Sequence, residues 1–265
     1  MAFTLATWNI NSVRLRESLV LKLATDELPD VLCLQECKSP VELIPVENLK
    51  ALGYTHMVAR GQKGYNGVAI FSKMPLREVG GYDLVQLGHA RHVAAELPNG
   101  VTIHNFYVPA GGDIPDPAVN DKFAHKLAFV DEMTKWFRKE CDPDAPVMAL
   151  GDFNIAPLEH DVWSHKQLLD VVSHTPVEVE KLGKMYASLD WHDAIRHFVP
   201  EDQKCYTWWS YRNRDWKKSN RGRRLDHIWV TKPLMPYLKS YNILQAARDW
   251  TQPSDHVPVI VDLEI

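Results

Sequence analysis

Pro146-Val147-Met148-Ala149-Leu150-Gly151-Asp152-Phe153-Asn154 is the stretch on which the reading of the fold turns. A short apolar run that stops at Gly-Asp predicts a buried strand ending in a turn. Asp152 and Asn154 then reach one face of a sheet edge. Asp and Asn also shape turns by bonding their own backbone, so this stretch alone does not separate a turn from a site. Other strands decide it, because they end in the same way. Phe3 to Trp8 alternates as a strand and ends at Asn9-Ile10-Asn11-Ser12, and Val31 to Leu34 is an apolar run ending at Gln35-Glu36-Cys37-Lys38. Val101 to Tyr107 ends at Tyr107-Val108-Pro109, Leu225 to Val230 carries Asp226, and Ser254-Asp255-His256 opens the last strand, Val257 to Ile265.

Between these runs lie helical periods. Val13 to Asp26 spaces Leu15, Leu19 and Leu23 helically, with Ser12 as the expected N-cap and Arg14 and Arg16 pointing outward. A long amphipathic helix is predicted from about Asp121 to Glu140, with Phe123, Leu127, Val130 and Phe137 on one face. Thr175-Pro176-Val177-Glu178 is a capping box with Pro at the first helical position. Residues 191–196 read as a further short helix, Tyr206 to Tyr211 as a strand, and Gly67 to Phe71 and Arg91 to Leu97 as two more. Strands and helices interleave without repeat or linker, which predicts one α/β domain over residues 1–265.

The chain has 265 residues, 45% hydrophobic and 24% charged, which suits a soluble chain with a large core. A formal charge of -4 excludes a globally basic binder but not a local basic patch. Cys33, Cys37, Cys141 and Cys205 form no CxxC pair, which fits free thiols in a reducing compartment. The first strand begins at once and no apolar run reaches membrane-spanning length, so a cytoplasmic protein is expected.

The polar residues at the strand ends form one set: Asn9, Glu36, Tyr107, Asp152, Asn154, Asp226, Asp255 and His256. Phosphodiester hydrolysis needs such a set: a metal to neutralise phosphate, a group to ready water, and donors for the phosphoryl oxygens. Hard oxygen ligands such as Glu36 suit Mg²⁺. HExxH, GxSxG, Walker A and GxGxxG patterns are absent, so no zinc protease, α/β-hydrolase, P-loop enzyme or dinucleotide binder is indicated.

Trp8-Asn9-Ile10-Asn11, Leu34-Gln35-Glu36-Cys37-Lys38, Tyr107-Val108-Pro109, Gly151-Asp152-Phe153-Asn154, Arg223-Arg224-Leu225-Asp226 and Ser254-Asp255-His256 together resemble, in order and rough spacing, the exonuclease III family of apurinic/apyrimidinic endonucleases. The resemblance runs from residue 3 to the C-terminus. It implies a deoxyribonuclease I-like four-layer sandwich, two packed mixed β-sheets flanked by helices. It also implies Mg²⁺, with Mn²⁺ as a substitute, and a DNA repair activity: incision 5′ to abasic sites, 3′-5′ exonuclease and 3′-phosphatase action on double-stranded DNA by a monomer without nucleotide cofactor. By the same resemblance Glu36 is the principal metal ligand, with Asn9, Asp152, Asn154 and Asp255 in the metal and phosphate shell. Asp152 orients and deprotonates water, Asn154 steadies it, His256 paired with Asp226 contacts phosphate, and Tyr107 donates to phosphate or the leaving oxygen. An older reading makes the His256–Asp226 pair the base, and sequence does not choose between them.

The loop with Arg212, Arg214, Lys217, Lys218, Arg221, Arg223 and Arg224, interleaved with Tyr211 and Trp216, reads as a DNA-binding rim with salt-sensitive affinity. Asn11 and Lys38 are assigned to the same DNA surface, and Trp208 to the wall of the pocket that takes a flipped abasic sugar. Three positions depart from the family pattern: Cys37, Ala110 and above all Arg223, where relatives can carry an aromatic or aliphatic pocket residue. Arg223 bears on the balance between abasic-site incision and 3′-end trimming. Two rivals remain: a relative acting on other phosphodiesters, against which the basic loop stands, and a silent nucleic-acid-binding regulator, which would have lost site residues that are all present here.

Overall fold

The computed structural model describes residues 2–213 and 215–265, so Arg214 of the basic run lies outside the described residues. The strands are β1 (Ala2–Asn9), β2 (Val31–Gln35), β3 (His56–Arg60), β4 (Val68–Ser72), β5 (Arg77–Gly80), β6 (His92–Glu96) and β7 (Thr102–Tyr107). The chain continues through β8 (Val147–Asp152), β9 (His192–Asp193), β10 (Trp208–Trp209), β11 (Gly222–Arg223), β12 (Asp226–Val230), β13 (Leu238–Ile243) and β14 (Val259–Glu264). The α-helices are α1 (Glu17–Asp26), α2 (Glu47–Ala51), α3 (Asp121–Glu140), α4 (His165–Leu168), α5 (Pro176–Tyr186) and α6 (Trp216–Ser219).

Among the described residues two six-stranded mixed sheets form, ordered β13-β14-β1-β2-β4-β3 and β5-β6-β7-β8-β12-β9. Each has one parallel pair near its middle, β1 with β2 and β7 with β8. Those four strands run the same way within each pair, so their C-terminal ends bring Asn9 beside Gln35 and Tyr107 beside Asp152. β12 returns antiparallel to β8 and sets Asp226 opposite Asp152. This register is what converts the strand-end pattern into a site.

Strand alternation builds the layers. Phe3 and Leu5 of β1 enter the core between the sheets, against Ile103, Met148, Leu150 and Ile228 of the other sheet. Ala6 and Trp8 face outward under α1, with Leu19, Val20 and Leu23. On the far side α3 and α5 cover Phe106, Ala149 and Trp229 with Phe129, Met133, Phe137 and Leu182. Each such side chain contributes about 1.5–3 kcal/mol when fully buried. The result is the expected helix–sheet–sheet–helix sandwich. Near the site end the inter-sheet layer turns polar: Gln35 Nε2 donates to Thr7 Oγ1 (2.9 Å) and Asn105 Oδ1 (2.7 Å), and Asn105 Nδ2 donates to the carbonyls of Leu34 and Ala69.

The long helix and the capping box lie where the sequence places them. Thr175 accepts from Glu178 N and Glu178 reaches back to Thr175 N, and Asn120 caps α3. Four expectations change. α1 starts at Glu17, because Asn11 and Ser12 take left-handed backbone (φ +50° and +90°), so Ser12 does not cap it. Arg16 does not point outward. It is buried, donating to the carbonyls of Gln252, Ile10 and Asn11 and to the Tyr211 hydroxyl. Residues 191–196 form no helix: His192 and Asp193 pair with β12 as its edge neighbour. Only Trp208 and Trp209 of the expected strand at 206–211 are extended in a ladder. Among the described residues no helix is long and apolar enough to cross a membrane.

Candidate active site

Gly151 makes the first demand of the site. Its φ is +126°, and a Cβ there would lie 2.1 Å from the Phe106 carbonyl, so only glycine lets β8 run so close to β7 before Asp152. Asp152 is buried and fully engaged: Oδ2 accepts from Asn9 Nδ2 (2.8 Å) and Asn154 Nδ2 (3.0 Å), and Oδ1 from the Asn154 amide (2.9 Å). His256 Nε2 lies 3.6 Å from Asp152 Oδ2, and His256 Nδ1 lies 2.8 Å from Asp226 Oδ2. Thr207 Oγ1 donates to that same Asp226 oxygen (2.5 Å), while Asp226 Oδ1 is buried without a partner.

The other sheet supplies Asn9 and Glu36. Asn9 Nδ2 also donates to Glu36 Oε1 (2.9 Å), so one amide bridges the carboxylates of the two sheets. Lys38 Nζ sits 2.8 Å from Glu36 Oε2 and 2.6 Å from Asn11 Oδ1. Asp255 accepts from Trp208 Nε1 (2.9 Å) and Asn11 Nδ2 (3.3 Å). Trp8 Nε1 donates to the His256 carbonyl and Ser254 Oγ to the Asn9 carbonyl, which ties the last strand to the first. Asn11, Glu36, Lys38 and Asn154 all have φ near +50°. Non-glycine residues held in that region cost about 1–3 kcal/mol each and cluster at functional sites.

The electrostatics divide the roles. Burial, reinforced by Asp226 and Glu36 and opposed by His256 and the Asn9 amide, lifts the Asp152 carboxyl to about 7. Burial would depress the His256 imidazolium, but Asp226 and then Asp152 carry it up to about 10. For Glu36 burial works upward but loses to the Lys38 charge and to hydrogen bonds from Asn9 and Lys38, which hold it below the usual range. Burial and the neighbouring Glu36 and Asp152 push the Tyr107 hydroxyl well up, against the opposing Arg91 guanidinium. The arrangement therefore pairs a protonated donor, His256, with a carboxylate poised near neutrality, and keeps Tyr107 a donor.

A cleft of about 660 Å³ opens on this floor. Glu36, Asn154, Asp255 and His256 line its bottom, Trp163, Leu168, Val172, Trp208, Arg223 and Leu225 its walls, and Arg212 and Arg221 its rim. Arg221 lies over the Trp163 ring (4.6 Å), and Arg212 and Arg221 are exposed. Arg223 is drawn inward: Nη1 donates to Val172 O (2.9 Å) and Ser173 Oγ (2.7 Å), its guanidinium stands 5.2 Å from the Trp208 ring, and Nε has no partner. Lys38 pairs with Glu36, and Asn11 bonds both Lys38 and Asp255.

Arg224 is a correction. It is 1% exposed and forms a double hydrogen bond with Asp161 (2.7 and 3.0 Å) and a further one with Asp193 (2.6 Å), so it is a buried tie and not part of a DNA surface. Asp226, for its part, pairs with His256 and not with Arg224. Sequence reading gave no role to Thr207 or Arg91, and none to Ser254 beyond its place in the Ser254-Asp255-His256 motif. Arg91 is buried, with its guanidinium over the Tyr107 ring (4.6 Å) and Nη1 on the Tyr107 carbonyl (3.2 Å). Its only local signal was its place at the start of a strand.

The donor set fits a hard divalent cation. The Glu36 carboxylate is held ionised and lines the cleft together with Asp255, and the Asn9 amide joins Glu36 to Asp152. Glu36 and Asp255, with Asp152 and the amide oxygens of Asn9 and Asn154, would hold it. Bound there, it would neutralise phosphate charge.

Two mixed sheets converging on carboxylates, amides and a protonated histidine define a phosphoester hydrolase. The chain belongs to the endonuclease/exonuclease/phosphatase family, matching it over residues 6–256. It is 30% identical over 264 residues to exodeoxyribonuclease III of Haemophilus influenzae, covering 96% of this chain and 97% of that one. An AP endonuclease from Archaeoglobus fulgidus has the same fold (TM-score 0.92, 29% identity, 99% of this chain and 100% of that one). So does a 3′ phosphatase from Neisseria solved with a product DNA hairpin (TM-score 0.90, 31% identity, 99% and 100% coverage). The chain is accordingly a DNA repair nuclease of the exonuclease III group, with the deoxyribonuclease I-like fold.

Proposed function

We propose that this nuclease uses Mg²⁺ to hydrolyse the phosphodiester 5′ to abasic sites in double-stranded DNA and to remove phosphate and nucleotides from 3′ ends, working as a monomer. The observation that carries the reading is the Asp152–His256–Asp226 constellation, in which both the Asp152 carboxyl and the His256 imidazolium are raised and His256 opens onto a walled cleft. Asp152 takes the proton of the attacking water, and the Asn154 side chain fixes that carboxylate. His256, already protonated, donates to a phosphoryl oxygen and is a poor base at neutral pH, which favours Asp152 over the His256–Asp226 pair in that role. Tyr107 donates to the phosphate or the departing 3′ oxygen. Abasic incision on this scheme leaves a 3′-hydroxyl and a 5′-deoxyribose phosphate. The cation supplies charge neutralisation at the phosphate when bound.

Arg223 favours a second reading, in which 3′-end processing predominates. A terminal phosphate monoester carries a third charged oxygen where a diester carries its next sugar, and that oxygen would face the pocket in which Arg223 stands. A sugar there gains nothing from the charge and must share space with the guanidinium.

The test is cleavage of two labelled duplexes, one with an internal tetrahydrofuran abasic analogue and one with a 3′ phosphate, in Mg²⁺ or EDTA, with wild type and Asp152→Asn. Turnover in Mg²⁺ alone, reduced in the variant by roughly 10²–10⁴-fold with DNA binding retained, supports the scheme. DNA bound but never cut under any metal would sink it.

A further inference from the structure

Beneath the cleft lies a charged pair that the scheme above does not use. Lys126 of α3 and Glu178 of α5 are both fully buried, with Lys126 Nζ 2.5 Å from Glu178 Oε1. The ammonium spends its other donors on backbone: the Asn154 carbonyl at 2.8 Å and the Ala110 carbonyl at 3.2 Å. Asn154 is the residue whose side chain holds Asp152, and Ala110 follows Tyr107-Val108-Pro109. The two loops are already joined above the lysine by Asn154 Nδ2 on the Val108 carbonyl (2.9 Å). Lys126 lies so close under the first loop that a Cβ on Gly111 would come within 2.9 Å of its side chain. Glu178 takes up its remaining acceptor capacity on a third loop, at the amides of Ser173 (2.9 Å) and Thr175 (3.1 Å) and the Thr175 hydroxyl (2.7 Å). Ser173, at φ +89°, is the residue that receives Arg223.

A buried ion pair is weak as a stabiliser, because desolvation offsets most of the attraction and apolar replacement of both partners is often neutral. Stability alone is therefore a poor reason for this one. What it does is fasten, from below, the loop that follows Tyr107, the loop that carries Asn154 and the loop that receives Arg223.

We propose that Lys126 is a positioning residue for the reaction: its bonds to the Asn154 and Ala110 carbonyls set the left-handed turn at Asn154 and hold Asp152 and Tyr107 at their working separation, with Glu178 locking the lysine. The assignment rests on the nuclease reading above. Misplacing reacting groups slightly can cost on the order of 100-fold in rate.

The decisive comparison is Lys126→Met/Glu178→Gln against Glu178→Gln and wild type, each checked for folding by circular dichroism. The double variant removes both charges and leaves none unpaired. It is expected to fold, to lose roughly 10- to 100-fold in kcat on the 3′-phosphate and tetrahydrofuran duplexes, and to change KM by no more than about threefold. Glu178→Gln keeps a lysine nitrogen that still donates to both carbonyls and is expected to retain most of kcat. Hydrogen exchange over residues 107–112 and 153–156 should quicken in the double variant only. A folded double variant with wild-type kcat and unchanged exchange, or a loss lying wholly in KM, would overturn the assignment. If wild type cut neither duplex, the nuclease scheme would fail instead, and the exchange of those two segments would still judge Lys126.

Discussion

Replacing Arg223 by leucine should separate the two activities that share the cleft. In the folded protein its Nη1 bonds the Val172 carbonyl and the Ser173 hydroxyl, and both acceptors border the cleft. Water can replace the guanidinium there, so the stability loss should be small, about 1 kcal/mol. Opposite a terminal phosphate the loss is larger. A hydrogen bond to a charged group is worth about 1.5–3 kcal/mol, which converts to a fall of roughly 10- to 150-fold in kcat/KM on a 3′-phosphate duplex. An abasic sugar is neutral and loses no such bond, while the shorter, uncharged leucine leaves more room between Trp163, Trp208 and Leu225. Incision at tetrahydrofuran should therefore hold or rise, and the ratio of the two kcat/KM values should shift by roughly tenfold or more. The assay is paired steady-state kinetics on the two duplexes at one salt concentration, with the denaturation midpoint of each protein measured alongside. A ratio that stays fixed while both activities fall together would refute the reasoning and make Arg223 a general DNA-binding or folding residue.

Arg224→Met leaves Asp161 and Asp193 without the buried guanidinium that bonds both, and breaking such a pair typically costs about 3–5 kcal/mol; urea unfolding should show this loss, with DNA affinity per folded molecule unchanged. In EDTA the His256 imidazolium should persist to about pH 9 in a histidine NMR titration, since its folded value is raised to about 10. Its stabilising contribution is then complete below the unfolded value near 6.5 and is lost as pH rises through about 10, so the denaturation midpoint should fall across that window more in wild type than in His256→Gln. Arg212 and Arg221 are exposed at the cleft rim. Replacing both by alanine should reduce the slope of log affinity against log salt by about 0.9 for each phosphate no longer neutralised, and an unchanged slope would remove them from the DNA surface.

What was legible in the sequence was what is local. An apolar run ending in a polar residue marks a buried strand whose tip is exposed to chemistry, and Asn9, Glu36, Tyr107 and Asp152 all lie at such tips, while Asp226 opens the antiparallel β12 beside Asp152. The capping box at Thr175 and the apolar face of α3 are likewise written within one or two helical turns. The edge strands β3, β5 and β13 were not legible, because they are half-exposed, carry mixed residues and are defined only by the neighbour they pair with. The arginines misled for a related reason. In sequence Arg16, Arg223 and Arg224 look like their solvated neighbours, yet they bond Gln252, Val172 and Asp161, each more than fifty residues away. A basic run reports charge but not which members turn inward.

The same distinction explains how an acidic chain can present a phosphate site. Its net charge of -4 opposes DNA at long range, and the carboxylates of Glu36, Asp152, Asp226 and Asp255 add to that inside the cleft. Those charges are partly neutralised in place by Lys38 on Glu36 and by the His256 imidazolium between Asp152 and Asp226. A divalent cation held there would complete the balance, since it would add two positive charges where the phosphate must come close to four carboxylates. On the proposed scheme the exposed arginines at the rim would act outside the cleft, where screening is strong and only nearby phosphates count. On that scheme attraction and chemistry fall to different layers of the molecule: the rim would set salt-dependent affinity, and the buried, hydrogen-bonded floor the rate. Substitutions in the two layers should consequently move different kinetic constants, with Arg212 and Arg221 acting on KM and Asp152, Asn154 and His256 on kcat.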